Sequence, residues 1–564
     1  MAEGQLGRLP EGNGVVVPVA SQPDFPLDRV IREELPDADA VPMDVIFVGG
    51  GPAGLAGAIE LARLVALDAE EGGRLGEVEI GVLEKAGALG EHTLSGAVVN
   101  PEPLRELFPD VPEEDLPLRE PVGAEAVYFM RETSAYRIPT PPTMRNHGNR
   151  VASICEIVRW MGERAEGLGV NVFPGFPVDS LLVEGDRVQG VRTAPAGLDR
   201  EGNPGSGYTP AMDLTARVTV LAEGNRGYLT QGWERWQGVG RTNPQIHALG
   251  VKELWEVERP LDRVIHTLGW PLPADAFGGS WIYPMGEGLV SLGLVVGLDY
   301  PDARLDVHGL LQQFKAHPFV REILAGGEMV EWGAKTIPEG GYHSLAERRH
   351  GPGLLVVGDA AGLVDVPSLK GIHYAIQSGI LAARTTFEAL KAEDTSEVGL
   401  RGYTEAVDRS FIVRDLHRTR NMRLAFKSGF VRGGAMAGLM SLTGGRFPGG
   451  TIRVEEDAAE ARHLRNPAPD FTPDGELTFS KTDAVFKSGN TTRDDIPSHL
   501  VVGRDISAEV AEFYTHLCPA GVYERDGERL VVNAPNCIDC KATDVLGPRW
   551  TPREGGSGPA YRRM

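Results

Sequence analysis

The chain has 564 residues, of which 41% are hydrophobic and 24% are charged. This is the composition of an ordinary globular protein and excludes a chain that is disordered throughout. Acidic residues outnumber basic ones by 79 to 56, giving a formal charge of -23. A protein that binds a nucleic-acid backbone usually has the opposite sign, so we expect no nucleic-acid partner. At about 150 residues per domain, we expect three or four domains.

Four cysteines in the whole chain exclude a disulfide-stapled secreted scaffold. The first twenty residues lack the basic segment and apolar core of a signal peptide. The longest apolar run, residues 288–298, is shorter than the roughly 20 residues that a membrane-spanning helix needs. We therefore expect a cytoplasmic protein, or one attached to a membrane face without crossing it.

A βαβ unit follows a Pro- and Gly-rich N-terminal stretch that is expected to form an extended arm or a loose wrap. Residues 44–48 (DVIFV) predict a buried strand, residues 55–67 a helix, and residues 78–83 a second strand that ends at Glu84. The glycines between the first strand and the helix, Gly49, Gly51 and Gly54, match G-x-G-x-x-G.

This glycine pattern is typical of a dinucleotide site. The first glycine permits a tight turn, the second lets the backbone approach a pyrophosphate, and the third lets helix and strand pack closely. The helix N-terminus offers free N–H groups to phosphate. Glu84 stands where an acid would bond a ribose hydroxyl. A glycine-rich turn can also serve packing alone, but the strand, helix and acid together favour nucleotide binding.

Two later strands favour FAD over NAD. Residues 218–222 lead into Glu223, and residues 354–357 lead into Gly358-Asp359-Ala-Ala-Gly362 before a helix predicted over residues 371–390. An acid beside glycine can bond a ribitol hydroxyl while helix amides face phosphate. A long flavin nucleotide lying across the domain would use both sites. Residues 240–340 are rich in short strands and predict a β-rich insertion.

Three cysteines near the C-terminus have iron–sulfur spacing. Cys518 precedes the pair Cys537 and Cys540, but the position that would continue C-x-x-C-x-x-C is Thr543. Three arrangements are open: a [3Fe–4S] cluster, a [4Fe–4S] cluster with an oxygen ligand, or zinc with three cysteines and His516. The oxygen could come from Thr543, Asp544 or solvent. The remaining cysteine, Cys155, is predicted to be a buried apolar residue.

A local inversion of charge occurs between Arg414 and Arg432. The six basic residues are Arg414, Arg418, Arg420, Arg423, Lys427 and Arg432, and the uncharged segment 433–442 follows them. Basic residues beside an apolar segment suit an anionic membrane face. A solvated basic helix followed by a core segment, or arginines that meet nucleotide phosphates, would give the same pattern.

Several longer strings make a family resemblance specific. They are GEHTLSGAVVNP (90–101), NHGNR (146–150), GWPL (269–272), FGGSWIY (277–283), LGLVVGLDYP (292–301), LKGIHYAIQSGILAA (369–383), CPAGVYE (518–524) and EGGSGPAY (554–561). With these motifs the chain resembles the electron transfer flavoprotein–ubiquinone oxidoreductase family from about Asp44 to Met564.

The resemblance implies an α/β fold (α+β overall): a Rossmann-like FAD domain of the glutathione-reductase type, an inserted β-rich quinone domain and a C-terminal ferredoxin-like domain. It implies electron transfer from reduced electron transfer flavoprotein, through FAD and an iron–sulfur cluster, to a membrane quinone (ubiquinone or menaquinone). The protein would sit on the cytoplasmic face of the cell membrane, without spanning it.

The family's pattern also implies roles for single residues. Carried over by position, FAD would be held by Gly49, Gly51, Gly54, Glu84, Glu223, Asp359 and Gly362, and backbone groups around Gly250 and Gly269 would face the quinone. Cys518, Cys537 and Cys540 would hold the cluster. The family usually has a fourth cluster cysteine, where this chain has Thr543. Its membrane-facing segment falls at residues 433–442.

The expected domains are an N-terminal extension, two parts of the FAD domain, the quinone insertion between them, a basic and membrane-facing segment, and the cluster domain. In the order of the chain, their bounds are 1–42 for the extension, 43–240 for the first FAD part, 241–340 for the insertion, 341–410 for the second FAD part, 411–465 for the membrane-facing segment and 466–564 for the cluster domain.

Two other functions share part of this pattern. A flavin monooxygenase or prenyl reductase using NAD(P)H would have the glycine turn and the GDAAG motif, but not the cysteine-bearing tail. An electron-carrying subunit could leave the quinone chemistry to a partner.

No catalytic acid or nucleophile is required, because the cofactors carry the chemistry. His373 could relay a proton to quinone, although packing in the core is the favoured interpretation.

Overall fold

The computed structural model describes residues 9–10, 12–465, 471–504 and 506–564. Parts of two predicted segments, 1–42 and 466–564, therefore lie outside the described residues. Within the described chain, a parallel sheet, a large mixed sheet and a C-terminal region of short helices and hairpins pack around one main hydrophobic core.

The nucleotide-type sheet has six strands, five of them parallel. In spatial order they are Asn171–Pro174, Ile80–Glu84, Val45–Val48, Val218–Leu221, Leu354–Val356 and the antiparallel edge strand His350–Gly351. The central strands are continuous apolar runs because both faces of a parallel sheet are buried. All the strands predicted from the βαβ pattern lie here, at bounds within two residues of those predicted.

Two long helices cover one face of this sheet, at very close range. The fingerprint helix Pro52–Glu70 packs on Ile372–Lys391. A Cβ at Gly379 would lie 2.2 Å from the Ala53 carbonyl oxygen, so only glycine permits this approach. Ile154–Gly167 packs beside the fingerprint helix, with Ser153 capping its N-terminus.

A five-stranded sheet takes in part of the N-terminal arm. Its strands are Ile31–Arg32, Val178–Glu184, Arg187–Thr193, Asp213–Thr215 and Val41–Pro42, in that order. The described part of the arm is therefore less loose than predicted, because its backbone pairs with later strands. A separate hairpin has the strands Ala196–Leu198 and Pro204–Thr209, the second of which is exposed along its whole length.

The β-rich insertion is part of a seven-stranded sheet. Its strands in spatial order are Glu328–Pro338, His247–Glu256, Leu289–Gly297, Gly278–Gly286, Arg263–Gly269, Ala124–Arg131 and Ser134–Ile138. The last two come from outside the predicted 241–340 segment. Ala124–Arg131 pairs in parallel with Arg263–Gly269, a long-range contact that the local pattern could not reveal.

The remaining helices and short strands surround these sheets. The helices of six residues or more are Glu102–Leu107, Tyr228–Trp236, Val307–Ala316, Pro318–Leu324, Glu397–Arg409, Phe411–Thr419, Phe430–Thr443, Lys481–Lys487 and Ala508–Leu517. Short helices and short strand pairs complete the fold. The short helices are Pro18–Ser21, Leu27–Val30, Met422–Ala425 and Ala542–Leu546. The strand pairs are Val15–Val16 with Arg462–His463, Val98–Val99 with Arg150–Val151, Leu500–Val501 with Arg549–Trp550, and Tyr523–Asp526 with Arg529–Val532.

The predicted basic helix is broken into separate pieces. Phe411–Thr419 ends before the short helix Met422–Ala425, and the apolar segment belongs to the next helix, Phe430–Thr443. Arg423 is buried between Asp299 and Glu339, at 2.9 and 2.6 Å. Lys427 pairs with Asp299 and Glu460. These two cations therefore hold the helices to the large sheet and are not free surface charges. None of the helices in the described ranges has the length and apolarity to cross a bilayer.

Candidate redox site

One cavity of about 360 Å³ joins the three regions singled out from the sequence. It is lined by the glycine turn, by strands of the large sheet and by residues next to the cysteine loop. Its lining residues include Gly49, Gly51, Glu84, Glu223, Gly250, Lys335, Asp359 and Lys541. A nucleotide cofactor in this cavity would therefore lie between the large sheet and the cysteine loop.

The glycine turn divides its work among its three glycines. At Gly49, φ is +112°, and a Cβ there would lie 2.4 Å from the Ala222 carbonyl oxygen. A Cβ at Gly54 would lie 2.1 Å from the Gly49 carbonyl oxygen, so this glycine serves the packing of helix on turn. A Cβ at Gly51 would meet no protein atom within 4 Å, and this glycine faces the cavity. The turn thus leaves space where a pyrophosphate would approach.

The two predicted acids at the ends of strands, Glu84 and Glu223, are both engaged by backbone N–H groups. Glu84 accepts from Gly50 at 2.8 Å and from Ala86 at 2.9 Å. Glu223 accepts from the backbone N–H groups of Leu229 and Thr230, at 3.0 and 2.8 Å, and so caps the helix that starts there. Glu223 lines the cavity, but both of its oxygens already serve this helix.

Asp359 is the acid left free for a ligand. Its side chain makes no hydrogen bond or ion pair with another described residue, although it lines the cavity. Burial raises the pKa of Asp359 to about 6, and the nearby Lys335 opposes that rise. A hydroxyl-bearing ligand would supply the missing partner, which fits the ribitol of FAD. Gly362 lies just outside the cavity lining and ends this turn with φ of +74°.

The predicted quinone glycines have different surroundings. Gly250 lines the cavity, together with Trp281 and Tyr283 from the large sheet. Gly269 is not among the lining residues; it ends the strand Arg263–Gly269, and its carbonyl accepts from the Leu272 N–H. Tyr283 Oη lies 2.6 Å from His266 Nε2. Burial lowers the pKa of His266 to about 3, aided by the charge of Lys370.

The three cysteines come together in the C-terminal region. Cys518 ends the helix Ala508–Leu517, Cys537 follows a short 3-10 turn, and Cys540 precedes the helix Ala542–Leu546. All three are buried. The Cys540 sulfur lies near those of Cys518 and Cys537, so that negative charge on either of them would raise the pKa of the Cys540 thiol. Burial raises the pKa of the Cys537 thiol to about 12. Metal ligation is the means by which such buried thiols become thiolates.

The cysteine loop, residues 537–544, has a backbone typical of anion and cluster sites. Asp539 and Lys541 both adopt positive φ, at 56° and 66°. Such left-handed residues turn successive N–H groups toward one point, an arrangement found around phosphates and iron–sulfur clusters. The N–H groups of Asp539 and Ala542 point to the sulfur atoms of Cys537 and Cys540.

Asp539 anchors this loop to the nucleotide region. Its carboxylate pairs with Lys85 Nζ at 2.5 Å and with Arg553 Nη2 at 3.0 Å, and it accepts from Trp550 Nε1 at 2.9 Å. Lys85 directly follows Glu84 at the end of a sheet strand. The pKa of Asp539 lies well below its usual value, because these cations outweigh the cost of burial.

The loop is also bonded to the large sheet. The carbonyl oxygen of Cys540 accepts from the Thr336 N–H at 2.9 Å and from its hydroxyl at 2.8 Å. Lys335 Nζ donates to the Asp539 carbonyl at 3.2 Å, and Asn225 Nδ2 donates to the Thr336 hydroxyl at 2.8 Å. Asn225, Lys335 and Thr336 all line the cavity. The cysteine loop therefore contributes Lys541 to the cavity wall and is hydrogen-bonded to other residues of that wall.

The zinc alternative does not fit the positions of its ligands. In the part of the chain that the structure describes, His516 does not belong to a group of three ligand atoms within 4.8 Å of one another. Among the described residues, the three cysteines do not form a group with all ligand atoms within 4.8 Å, whereas His499, Cys537 and Asp539 do. One zinc ion would need closer sulfurs, because each binds it at about 2.3 Å. Asp539 in that trio is already ion-paired.

Cys155 and His373 are both packed in the core, as predicted for Cys155 and favoured for His373. Cys155 is buried, its thiol donates to the Thr93 carbonyl at 3.2 Å, and burial raises its pKa to about 11. His373 is 6% exposed and stacks on Phe411 at an interplanar angle of 17°. Burial lowers the pKa of His373 to about 3. The core interpretations therefore describe both residues.

Three lysines at the site were not predicted. They are Lys85, Lys335 and Lys541, which border the cavity together with Lys370; burial lowers the pKa of Lys335 to about 8 and that of Lys541 to about 7. Lys541 lies over the Trp550 ring at 3.2 Å. Lys541 and Lys85 each directly follow a predicted site residue, Cys540 and Glu84, whereas Lys335 reaches the site only through the fold.

Two family models match the chain. One describes the ubiquinone-binding part of ETF-QO and matches residues 247–337. The other describes the 4Fe-4S part of electron transfer flavoprotein-ubiquinone oxidoreductase and matches residues 475–562. The first spans most of the large sheet, and the second contains all three clustered cysteines.

Relatives similar over nearly the whole chain have the same name. Electron transfer flavoprotein-ubiquinone oxidoreductase of Oryza sativa is 37% identical, covering 93% of this chain and 94% of the relative. The protein of that name from Pseudomonas aeruginosa is 36% identical, covering 92% and 98%. The Homo sapiens protein is also 36% identical, covering 92% and 89%.

Solved structures share the fold of about three quarters of the chain. A geranylgeranyl bacteriochlorophyll reductase-like protein from Thermoplasma acidophilum superimposes with a TM-score of 0.53 at 20% identity, covering 74% of this chain and 95% of its own. A flavin-dependent brominase gives 0.50 at 17% identity, covering 72% and 94%. These likenesses, with the family models, confirm the predicted fold class.

The predicted family, its oxidoreductase class and its cofactors, FAD and an iron–sulfur cluster with quinone as substrate, are confirmed by these matches. The matched regions include the fingerprint, the large sheet and the cysteine region alike. The chain therefore belongs to the electron transfer flavoprotein–ubiquinone oxidoreductase family.

Proposed function

We propose that this protein takes electrons from reduced electron transfer flavoprotein and delivers them to a membrane quinone, ubiquinone or menaquinone, at the cytoplasmic face of the cell membrane. The observation that carries the proposal is that the glycine turn, the large sheet and the cysteine loop border the same cavity. The names of the relatives supply the donor and the class of acceptor.

The residues that would hold FAD are those of the turn and the free carboxylate. Gly49 and Gly54 shape the turn, Gly51 leaves room for the pyrophosphate, and Glu84 fixes the Gly50 N–H. Asp359 would accept from a ribitol hydroxyl. When bound, FAD and the cluster supply centres that hold one or two electrons. Of the predicted residues, Glu223 and Gly362 would act through the local backbone that they fix.

Quinone would be received by the part of the cavity that Gly250, Trp281 and Tyr283 line. The apolar walls exclude water, and the Tyr283–His266 pair provides a buried hydroxyl and imidazole beside them. Gly269 would act at a distance, by fixing the end of the strand. The domain bounds given above stand as part of this proposal.

A surface suited to a membrane lies on the helix Phe430–Thr443 and the turn after it. Val431, Leu442 and Phe447 are 83%, 86% and 57% exposed, which is unusual for large apolar side chains. The exposed Arg414, Arg418 and Arg432 lie along the same segment of chain. Apolar side chains with nearby cations favour an anionic lipid surface, at about 1 kcal/mol per basic residue.

An assay with purified, cofactor-replete protein tests the function. We expect oxidation of enzymatically reduced electron transfer flavoprotein to depend on a soluble quinone, and NADH or NADPH to give no comparable rate. Rapid NAD(P)H oxidation without electron transfer flavoprotein would favour the monooxygenase or reductase class instead. Reduction of the protein without quinone turnover would leave only an electron-carrying subunit.

Vesicle flotation tests the membrane part separately. Replacing Val431 and Leu442 by aspartate is expected to reduce binding to vesicles that contain anionic lipid. The matched control is Val398→Asp, since Val398 is also exposed, at 67%, but lies on the separate helix Glu397–Arg409. Equal binding of all variants would reject this surface.

A further inference from the structure

The position three residues after Cys540 distinguishes this chain from a four-cysteine cluster protein. A [4Fe–4S] cluster usually has four cysteine ligands. The chain has four cysteines in all, and one of them, Cys155, donates its thiol to the Thr93 carbonyl in the core. Three thiols remain for the cluster, and Thr543 occupies the position where the motif would place a fourth.

The carboxylates nearest to this position are already engaged. Asp544 is bonded to Arg226 Nε at 3.0 Å and to Gln231 Nε2 at 3.2 Å through one oxygen, and to the Trp550 N–H at 3.2 Å through the other. Asp539 is held by Lys85 and Arg553. Freeing either acid to bind iron would leave a largely buried arginine, Arg226 or Arg553, without its charged partner.

The groups that do face this position are two hydroxyls. Thr543 is only 9% exposed, in the first turn of the helix Ala542–Leu546. The Tyr523 hydroxyl is buried, makes no hydrogen bond within accepted distance and angle, and has Cys518, Cys537 and Thr543 as neighbours. A neutral hydroxyl is a poor ligand for iron, which prefers thiolate here, but it is a good hydrogen-bond donor. The two buried side chains also shield this position from solvent.

We propose that the resident cluster is [3Fe–4S], held by Cys518, Cys537 and Cys540, with the hydroxyls of Thr543 and Tyr523 facing the corner that lacks iron. Three thiolates satisfy the three irons, and the unpartnered Tyr523 hydroxyl gains an acceptor in cluster sulfide. This inference rests on the proposed role of the three cysteines as cluster ligands, and it departs from the 4Fe-4S description of the matching family model.

Metal analysis and low-temperature EPR of anaerobically purified protein test the proposal. We expect about three irons and four acid-labile sulfides per chain. Oxidised protein should show the S = 1/2 signal of a [3Fe–4S] cluster, which disappears on one-electron reduction. Added ferrous iron and thiol should leave the iron content unchanged. Anaerobic handling matters because oxidation can strip iron from a four-iron cluster.

Two variants sharpen the result. Thr543→Cys restores a fourth thiol and should raise the content to about four irons, with an EPR signal in the reduced state in place of the oxidised one. Thr543→Ser keeps a hydroxyl and should retain three irons. Four irons in wild-type protein that is EPR-silent when oxidised would overturn this inference alone. Absence of iron and sulfide would overturn the cysteine assignment within the proposed function as well.

Discussion

The glycine turn at residues 49–54 and the cysteine loop at residues 537–544 border the same cavity but are held in different ways. The turn is shaped by its own glycines and by the helix that it starts. The loop is held by distant side chains: Lys85 from the parallel sheet, Thr336 from the large sheet and Arg553 near the C-terminus. A local motif therefore carries the first site, whereas the assembled fold carries the second.

The strongest test of this difference removes one thiol. In Cys540→Ser we expect the protein to lose its iron and sulfide but to retain flavin, because the turn does not depend on the loop for its shape. Iron, sulfide and flavin are measured on the same preparation. The matched control is Cys155→Ser, whose thiol lies in the core and should not affect the iron content. Joint loss of flavin and iron in Cys540→Ser would show that the two sites are not separable.

The ion pairs of the loop give the next largest effect. Asp539→Asn leaves Lys85 and Arg553 without their charged partner, and we expect a loss of about 3–5 kcal/mol in the free energy of unfolding. Urea unfolding measures it. Asp526→Asn is the control, because Asp526 is exposed in a hairpin of the same region. If the two variants were equally stable, the loop would not depend on this anchor.

Two alanine substitutions separate packing from ligand binding within the turn. Gly54→Ala places a Cβ 2.1 Å from the Gly49 carbonyl oxygen, so we expect a loss of about 1–3 kcal/mol of stability. Gly51→Ala meets no protein atom within 4 Å and should leave the stability of flavin-free protein unchanged. It should weaken FAD binding about tenfold, or about 1.4 kcal/mol. Titration with FAD and urea unfolding distinguish them, and the reverse order of effects would contradict the geometry.

The smallest predicted effect is a pH dependence of stability that arises from Asp359, which lines the same cavity as the glycine turn. Its pKa is raised from 3.8 to about 6, so the folded state holds the proton more tightly than the unfolded state does. The folded protein therefore loses stability as the pH rises from 3.8 to about 6, and this loss stays constant at higher pH. Flavin-free Asp359→Asn should be more stable than wild type at pH 7.5, by a larger margin than at pH 5, while binding FAD more weakly. A constant difference across this range would contradict the raised pKa.

The parts predicted correctly from the sequence are those with local signals. The strands that end at Val48, Glu84 and Leu221, and the helix after the glycine turn, lie within a few residues of their predicted bounds. The three cysteines were also found from spacing and do lie together. Each of these features depends on neighbours in the sequence, such as apolar runs, glycine positions and motif spacing.

What the sequence missed depends on contacts between distant segments. The strand Ala124–Arg131 joins the large sheet only through its pairing with Arg263–Gly269. Arg423 looks like a surface cation in the sequence, but Asp299 and Glu339 bury it. Glu223, which stays a predicted cofactor residue, also caps a helix with both oxygens, and that role was not predicted. An ion pair between residues far apart in the chain leaves no local sequence pattern. Neither does a carboxylate that accepts hydrogen bonds from the N-terminus of a nearby helix.

We propose that one cavity connects a flavin, an iron–sulfur cluster and quinone. Anaerobic titration with reduced electron transfer flavoprotein tests it most directly, with flavin absorbance and cluster EPR followed in the same sample. We expect both centres to be reduced by this donor and both to be reoxidised when a soluble quinone is added. A cluster or flavin that keeps its oxidation state through both steps would contradict the claim.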